Sequence, residues 1–388
     1  MLPTHHLAAN LRRFRTAQGL SQSALAERAG LSRVGYRDLE TGKSTPRPDT
    51  LQSLADALGV AIPHLLAPVR ELHHVRFRAD RQLAKRENIL AEVGRWLDGY
   101  QEVEQALEST ADWKLAGLAK KLQRSTRSGQ GLAEYAAQEV RKDLGLDGQL
   151  IRDMCGLLED NGVKLLTVPV ATDGFFGLSV GPQDGGPAVV INVWERITVE
   201  RWIFSAAHEL AHLLLHPTAY DVERADENLE EEREADLFAS FFIMPQDLFQ
   251  TEWDEARGLG LVDRVFKLKR IFKVSWQTVV YRVTLGLPRA EKDAIWTSFR
   301  DAYRARFGHE APTTTEPEAL TADAFTGPPI SRAADEPARF LGDDFQEDRL
   351  CGLVRKALET ENISLGRGAE ILGLSLLDMR ELRNSWID

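Results

Sequence analysis

Residues 204–216 read FSAAHELAHLLLH and place two histidines, His208 and His212, four positions apart. The longer run VERWIFSAAHELAHLLLH is predicted to form one helix, which Thr198 can cap. Residues four apart lie one turn apart on the same face of a helix, so the two imidazoles can share one cation. Glu209 lies about 100° further round the helix, beside such a cation rather than bound to it. This stretch therefore predicts a metal site on a helix.

The spacing His-Glu-x-x-His is typical of zinc peptidases. In such sites two imidazoles hold Zn²⁺, and the glutamate takes a proton from water whose pKa the metal lowers to about 7. We therefore predict that His208 and His212 ligate one Zn²⁺ per chain and that Glu209 is the general base. The two cysteines are far apart and form no metal-spacing pair, so any further ligand has to be a histidine or a carboxylate.

A catalytic zinc needs a third protein ligand and keeps its fourth position for water. The segment EEREADLFASFFIMP is predicted to be a helix and offers Glu232 as that ligand, with Glu234 as the runner-up. Asp236, one turn after Glu232, can accept the outer N–H of a ligating histidine and so fix its tautomer. His216 is predicted to be structural, because a fourth protein ligand would close the site.

The first seventy residues carry a different pattern. Short apolar-periodic stretches alternate with glycines at helix ends, and Ser21 and Ser32 stand where helix caps are expected. The pattern predicts five short helices, two of them joined by a tight turn, which is the helix-turn-helix arrangement. The segment also holds nine Lys and Arg against five Asp and Glu, although the whole chain has a net charge of −11. This asymmetry favours nucleic acid as a partner of this segment.

The stretch GLSQSALAERAGLSRVGYRDLETGKSTP resembles the helix-turn-helix of the XRE (Cro/CI-like) family, over about residues 7–67. The resemblance implies that the helix over residues 32–40 enters the major groove of double-stranded operator DNA. It also implies a homodimer that reads two half-sites. The DNA contacts that it implies are Gln22, Ser32, Arg33, Val34, Arg37, Asp38, Lys43 and Arg47.

Residues 150–285 resemble the ImmA/IrrE family of metallopeptidases. The resemblance rests on the strand VVIN, the helix ERWIFSAAHELAHLLLH, the E-x-x-A-D helix and the closing FIMP, which occur in that order. It implies a thermolysin-like zinc site with the ligands and base named above, and a partner repressor as the substrate. It further implies that the VVIN strand holds a substrate as an added β-strand.

These patterns predict a multidomain, mainly α chain. Its parts are a five-helix DNA-binding domain, a helical connector, an α+β zincin-like metallopeptidase domain with a small, mostly antiparallel sheet, a linker and a small helical C-terminal unit. The predicted boundaries are 1–70, 71–148, 149–308 (including helix-turn-helix-like helices at 261–287), 309–339 and 340–388. No apolar run reaches the roughly 18 residues that span a membrane, and the few cysteines indicate a reducing, cytoplasmic location.

Three alternatives stay open at this level. The peptidase fold can have lost turnover, so that the chain is a non-proteolytic DNA-binding regulator or antitoxin that only binds a partner or ligand. The N-terminal domain can serve protein contacts instead of DNA. A housekeeping peptidase with an incidental DNA tether would not need Arg33 or Arg37.

Overall fold

The computed structural model of the chain describes residues 4–66, 70, 72, 74–79, 86–172, 174–216, 228–317 and 340–386. The described part is mainly helical, as predicted, with a small sheet. The predicted linker lies outside the described residues from residue 318 onward. No described helix combines the length and apolar character that crossing a membrane requires.

The described residues fall into two compact units. Unit 1 comprises residues 1–73, 80–110 and 353–388, and unit 2 comprises residues 74–79 and 111–352, as far as each is described. The helices of the first part of unit 1 are α1 (Thr4–Ala17), α2 (Gln22–Arg28), α3 (Arg33–Glu40), α4 (Pro48–Leu58) and α5 (Ile62–Leu66).

These five helices form the predicted helix-turn-helix arrangement around their own core, in which Leu25, Tyr36 and Leu54 are fully buried. Ser21 and Ser32 cap α2 and α3 as expected, because their hydroxyls accept backbone N–H groups of the first helical turn. Local sequence signals therefore fix this part of the fold.

The rest of unit 1 contains one long helix and the C-terminal helices. Its helices are α6 (Arg86–Ala106), α16 (Arg349–Glu359, which runs across the unit boundary), α17 (Leu365–Leu372) and α18 (Leu376–Ser385). Ile371 packs against Gly99, where a larger residue would crowd it, and Arg367 pairs with Glu102 at 2.6 Å. The residues from 353 onward thus form one unit with α6, although we predicted a separate C-terminal unit that begins at residue 340.

Unit 2 contains the sheet and the remaining helices. Its strands are β1 (Val75–Ala79), β2 (Lys164–Val168), β3 (Phe175–Val180) and β4 (Ala188–Asn192). Its helices are α7 (Ala116–Leu122), α8 (Gly129–Asp143), α9 (Met154–Glu159), α10 (Val199–Leu215), α11 (Leu229–Ile243), α12 (Gln246–Glu255), α13 (Leu261–Phe272), α14 (Trp276–Thr284) and α15 (Arg289–Phe307).

The sheet has the strand order β1-β3-β4-β2. Both pairs that involve β3 are antiparallel, and β2 lies parallel to β4, so the sheet is mixed and mostly antiparallel. We predicted β2, β3 and β4, but not β1, because residues 71–148 were expected to be helical. Five residues are too few to show a periodicity of their own, and pairing with β3 is what makes them a strand.

The implied role of the VVIN strand is wrong for this sheet. Residues 189–192 lie in β4, which hydrogen-bonds to β3 on one side and to β2 on the other. A strand with both neighbours in place has no free backbone groups for a substrate strand.

Helix α10 lies against β3 and β4, and α11 packs against α10 and α8. The shared core includes Leu210, Phe238 and Phe242, all of which are fully buried. Helices α13 and α14 correspond to the helix-turn-helix-like pattern at 261–287, and they bury Leu268 and Trp276 in this same core. Helix α10 is therefore held on one side by the sheet and on another by helices.

Candidate metal centre

Helices α10 and α11 bring three potential metal ligands together in the interior. His208 and His212 of α10 are 2% and 1% exposed, and their Nε2 atoms lie 2.9 Å apart. Glu232 of α11 places one carboxylate oxygen 3.5 Å from the His208 Nε2 and the other 3.7 Å from the His212 Nε2. Among the described residues, these three form the group whose ligand atoms are close enough to hold one metal ion.

The donor set fits zinc. Two imidazoles and one carboxylate are the ligands of a known class of catalytic zinc sites with a fourth position for water. A tetrahedral ion with bonds of about 2.0–2.1 Å separates its ligand atoms by roughly 3.4 Å. The separations of 2.9, 3.5 and 3.7 Å bracket that value, so the side chains need only small shifts to hold the ion.

Asp236 lies behind His208, one turn after Glu232. Its Oδ1 is 2.8 Å from the His208 Nδ1, which leaves the His208 Nε2 facing the other two ligand candidates. Burial lowers the pKa of His208, but the carboxylates of Asp236 and Glu232 raise this pKa by more than burial lowers it. The net shift is therefore upward. This contact has the geometry of a carboxylate that orients a ligating histidine.

Glu209 points from α10 toward β3. Its carboxylate is buried and accepts a 2.7 Å hydrogen bond from the Ser179 hydroxyl. Burial is the main reason that the pKa of Glu209 is raised above its usual value. Gly177, two residues before Ser179, leaves the space in which the Glu209 side chain lies, because a Cβ there would be 3.3 Å from the Glu209 Cγ. A raised pKa suits a carboxylate that has to exchange protons near neutral pH.

His216 and Glu234 lie on the far side of His212. The Nδ1 atoms of His212 and His216 are 2.8 Å apart, and the His216 Nε2 is 3.1 Å from a carboxylate oxygen of Glu234. The other oxygen of Glu234 accepts the backbone N–H of Gly129. Burial lowers the pKa of His216, which favours the neutral ring. The runner-up ligand Glu234 therefore lies outside the group of His208, His212 and Glu232. His216 contacts the Nδ1 of His212, on the side of the ring that faces away from this group.

Sequence reasoning missed Arg76, a buried residue of β1. Its Nη1 lies 2.8 Å from the His212 Nδ1 and 3.3 Å from a carboxylate oxygen of Glu231, and its Nη2 donates to Glu232. No signal near the motif points to this residue, because it lies 136 positions before His212. Ser179 was missed as well, although it is a small polar residue in an otherwise apolar strand.

The predicted DNA contacts lie in unit 1, and most of them are exposed. Ser32, Arg33, Val34, Arg37, Lys43 and Arg47 are exposed, with Val34 at 57%. The Ser32 hydroxyl accepts the N–H of Gly35, and Asp38 is half-buried and pairs with Arg37 at 3.2 Å. A valine this exposed on a helix surface is available for apolar contact with a partner.

Gln22 differs from the other predicted contacts, because its side chain turns inward. Its amide donates to the buried carboxylate of Glu40 at 3.0 Å. Arg15 of α1 holds the same carboxylate with two hydrogen bonds of 2.7 Å. Gln22 at the start of α2 is therefore tied to Glu40 at the end of α3.

Unit 1 carries a helix-turn-helix, and unit 2 carries the His-Glu-x-x-His helix against a mixed sheet. Together they define a DNA-binding regulator with a peptidase-like domain. Comparison with known proteins agrees for both parts. Residues 11–65 match the helix-turn-helix family model, and residues 162–284 match the model of the IrrE N-terminal-like domain, a family of M78 peptidases.

Two relatives are HTH-type transcriptional regulators. The prophage-derived HTH-type transcriptional regulator YonR of Bacillus subtilis is 36% identical over 81 residues, which are 21% of this chain and 71% of that protein. The HTH-type transcriptional regulator y4dJ of Sinorhizobium fredii is 37% identical over 65 residues, which are 17% of this chain and 84% of that protein. The chain belongs to the XRE-like helix-turn-helix family of transcriptional regulators, and it carries an IrrE-like domain.

Proposed function

We propose that this regulator is also a zinc-dependent peptidase, which cleaves a regulatory protein in response to a stress signal. The substrate is a partner repressor or the chain itself. The observation that carries the proposal is the buried convergence of His208, His212 and Glu232 beside Glu209. Two imidazoles and one carboxylate that converge in the interior are a donor set that a catalytic zinc site requires.

In this proposal each side chain has a distinct role. His208, His212 and Glu232 hold one Zn²⁺ per chain, and Asp236 orients His208. Zinc, when bound, supplies a Lewis acid that lowers the pKa of water and polarises a peptide carbonyl. Glu209 accepts a proton from the attacking water and returns it to the departing amine, and Ser179 holds the carboxylate for both transfers.

The DNA-binding part of the proposal rests on the exposed surface of α3 and of the turn that follows it. Arg33 and Arg37 face outward on this helix and can make two-pronged contacts to guanine. Lys43 and Arg47 are exposed beyond its end and can pair with phosphates. We propose that a cytoplasmic homodimer reads double-stranded operator DNA in this way, through the domain predicted at residues 1–70.

Binding at the operator would bring the peptidase close to a substrate that is bound to the same promoter. Proteolysis is an irreversible switch, and attachment to DNA raises the concentration of the enzyme near a substrate that is bound to the same promoter. Both activities in one chain therefore support regulated cleavage of a repressor.

One observation favours a second candidate function, in which the domain only binds a partner or ligand. The guanidinium of Arg76 already pairs with Glu232, so the carboxylate has a partner without any metal. In this alternative the protein is a non-proteolytic regulator or antitoxin, and replacing Glu209 by Gln leaves its function intact.

The test compares protein N-termini in cells that carry the wild-type chain, Glu209→Gln, or Glu195→Gln, each with and without DNA-damaging stress. Glu195 is exposed, so Glu195→Gln repeats the chemical change outside the site. The proposal expects a new N-terminus with the wild type and Glu195→Gln, and none with Glu209→Gln. The same set of N-termini in all three strains contradicts the peptidase and favours the binding-only regulator.

A further inference from the structure

We propose that two neighbours compete for the tautomer of His212: His216, backed by Glu234, holds the ring in its metal-binding form, and Arg76 holds it in a form that cannot bind metal. His216 and Glu234 are then positioning residues for the metal centre, and Arg76 opposes metal loading. This inference rests on the proposed function, because it takes the Nε2 of His212 to be a ligand atom.

The proton count of imidazole determines which nitrogen of His212 can bind a metal. A neutral imidazole carries one N–H, on either Nδ1 or Nε2, and the other nitrogen has a lone pair. A metal binds the lone pair, so His212 can ligate through Nε2 only when its proton is on Nδ1. The groups around Nδ1 therefore favour one form or the other, and in the metal-free chain the His208 Nε2, 2.9 Å from the His212 Nε2, acts on the same proton from the opposite side of the ring.

On one side, His216 and Glu234 favour the metal-binding form. The carboxylate of Glu234 only accepts hydrogen bonds, so it draws the proton of His216 to Nε2, 3.1 Å away. The Nδ1 of His216 then has a lone pair and accepts a hydrogen bond from Nδ1–H of His212 at 2.8 Å. With its proton on Nδ1, His212 presents the lone pair of Nε2 toward His208 and Glu232.

On the other side, Arg76 favours the opposite form. A guanidinium has only N–H donors, so its 2.8 Å contact with the His212 Nδ1 requires a lone pair on that atom. The proton of His212 then lies on Nε2, which is the atom that the metal needs. While Glu234 keeps the proton of His216 on Nε2, the contacts of the His212 Nδ1 with His216 and with Arg76 cannot both be hydrogen bonds, because the first needs a proton on that atom and the second a lone pair.

Arg76 also acts on the third ligand and on the charge of the site. Its second N–H group pairs with Glu232, and its first lies 3.3 Å from Glu231. A cation that enters the site has to share Glu232 with a fixed positive charge, which repels it. Both effects work in the same direction, against metal binding.

The strand pairing holds Arg76 in this place. Arg76 of β1 lies directly opposite Ser179 of β3 in the antiparallel ladder, and opposite residues project from the same face of a sheet. Ser179 in turn binds Glu209. One pair of residues in the sheet therefore serves both the base and the metal ligands, and β1 supplies the part that opposes the metal.

The test measures zinc affinity in the purified full-length chain, by competition with a chromophoric chelator after removal of metal. Arg76→Met keeps the apolar stem and removes the donors and the charge, and we expect it to tighten zinc binding about tenfold. Lys164→Met is the matched control, because it removes one positive charge from β2, at the opposite edge of the same sheet. His216→Phe keeps a ring without an acceptor, and we expect it to weaken zinc binding roughly 10–100-fold.

A second readout uses the metal-free chain with ¹⁵N-labelled histidine, in which the ring nitrogen shifts report the tautomer. We expect Arg76→Met to increase the Nδ1–H form of His212, and His216→Phe to increase the Nε2–H form. Should His216→Phe fail to fold, Glu234→Gln tests the same relay without changing the ring, and a weakened zinc affinity is expected.

The possible results distinguish a failure of the proposed competition from a failure of the proposed metal centre. If the wild type binds zinc and Arg76→Met binds it equally or more weakly, the competition is overturned but the metal centre stands. If neither the wild type nor Arg76→Met binds zinc, the proposed metal centre is overturned, and the competition with it. Opposite shifts of affinity in Arg76→Met and His216→Phe, with Lys164→Met at the wild-type value, support the inference.

Discussion

The substitution Arg15→Met is expected to destabilise the helix-turn-helix strongly and leave unit 2 intact. Arg15 and Glu40 form two hydrogen bonds of 2.7 Å, and their side chains are only 13% and 3% exposed. Methionine keeps the apolar stem but leaves the carboxylate of Glu40 buried without its cation. Breaking a buried pair in this way costs about 3–5 kcal/mol. The five helices between Thr4 and Leu66 form a domain of about sixty residues, for which a total stability of roughly 3–9 kcal/mol is expected. The loss is therefore a large part of that stability.

The pH dependence gives this prediction a sign that can be checked. Burial raises the pKa of Glu40, but the hydrogen bonds from Arg15 and other neighbours lower it by more, so the net shift is downward. The wild type therefore keeps this contribution to stability above the usual range of a glutamate and loses it as the pH falls through the lowered pKa. In Arg15→Met burial dominates and the pKa of Glu40 rises, so this variant should become more stable as the pH falls.

The assay is amide hydrogen exchange in the full-length chain, followed by mass spectrometry for peptides within residues 22–40 and corrected for intrinsic rates. Arg37→Met is the matched control, because the pair of Arg37 with Asp38 is largely exposed and should contribute less than about 1 kcal/mol. The double variant Arg15→Met/Glu40→Gln should recover much of the lost protection, since no buried charge remains. Wild-type protection in Arg15→Met at pH 7, or an equal loss at pH 5 and pH 7, would show that the buried charge of Glu40 does not depend on Arg15.

Three further predictions concern other parts of the chain. Burial raises the pKa of Glu159 to about 7, so the native chain should lose stability as the pH rises from 5 to 7. In urea unfolding, Glu159→Gln should be more stable than the wild type by about 2 kcal/mol above pH 7. The same change of unfolding free energy with pH in both proteins would contradict this. Lys43→Ala should weaken binding to every DNA sequence alike and reduce the slope of log affinity against log salt concentration by about 1. Arg33→Ala should instead lower the binding free energy by about 1–3 kcal/mol and relax specificity at one base pair only. Fluorescence anisotropy with a set of operator variants distinguishes the two effects. Asp236→Ala should weaken zinc affinity about 10–100-fold by releasing His208, and an unchanged affinity in a chelator competition would show that this contact does not orient the ligand.

The sequence predicted those features that depend on neighbouring residues. The caps at Ser21 and Ser32 and the helix that carries His208 and His212 were all predicted correctly, because capping and helical periodicity act within a few residues. Glu232 was predicted from its position on a second helix, and the structure brings it to the two histidines.

The sequence did not predict features that depend on pairing between distant segments. Arg76 reaches the site only because β1 pairs with β3, and nothing in the five residues of β1 reveals that pairing. Residues 340–388 were expected to form a unit of their own, but contacts such as that of Arg367 with Glu102 join the part from residue 353 onward to α6. The inward turn of Gln22 likewise depends on Glu40 at the end of a different helix.

The competition around His212 and the proposed peptidase share one premise, which is that α10 and α11 build a zinc centre. The most direct test is the zinc content per chain, measured by elemental mass spectrometry after loading and removal of unbound metal. We expect one zinc per chain in the wild type and in Glu209→Gln, since the base is not a ligand, and none in His212→Gln. A wild-type chain that retains no zinc, or a His212→Gln chain that retains as much as the wild type, would show that α10 and α11 do not build a zinc centre.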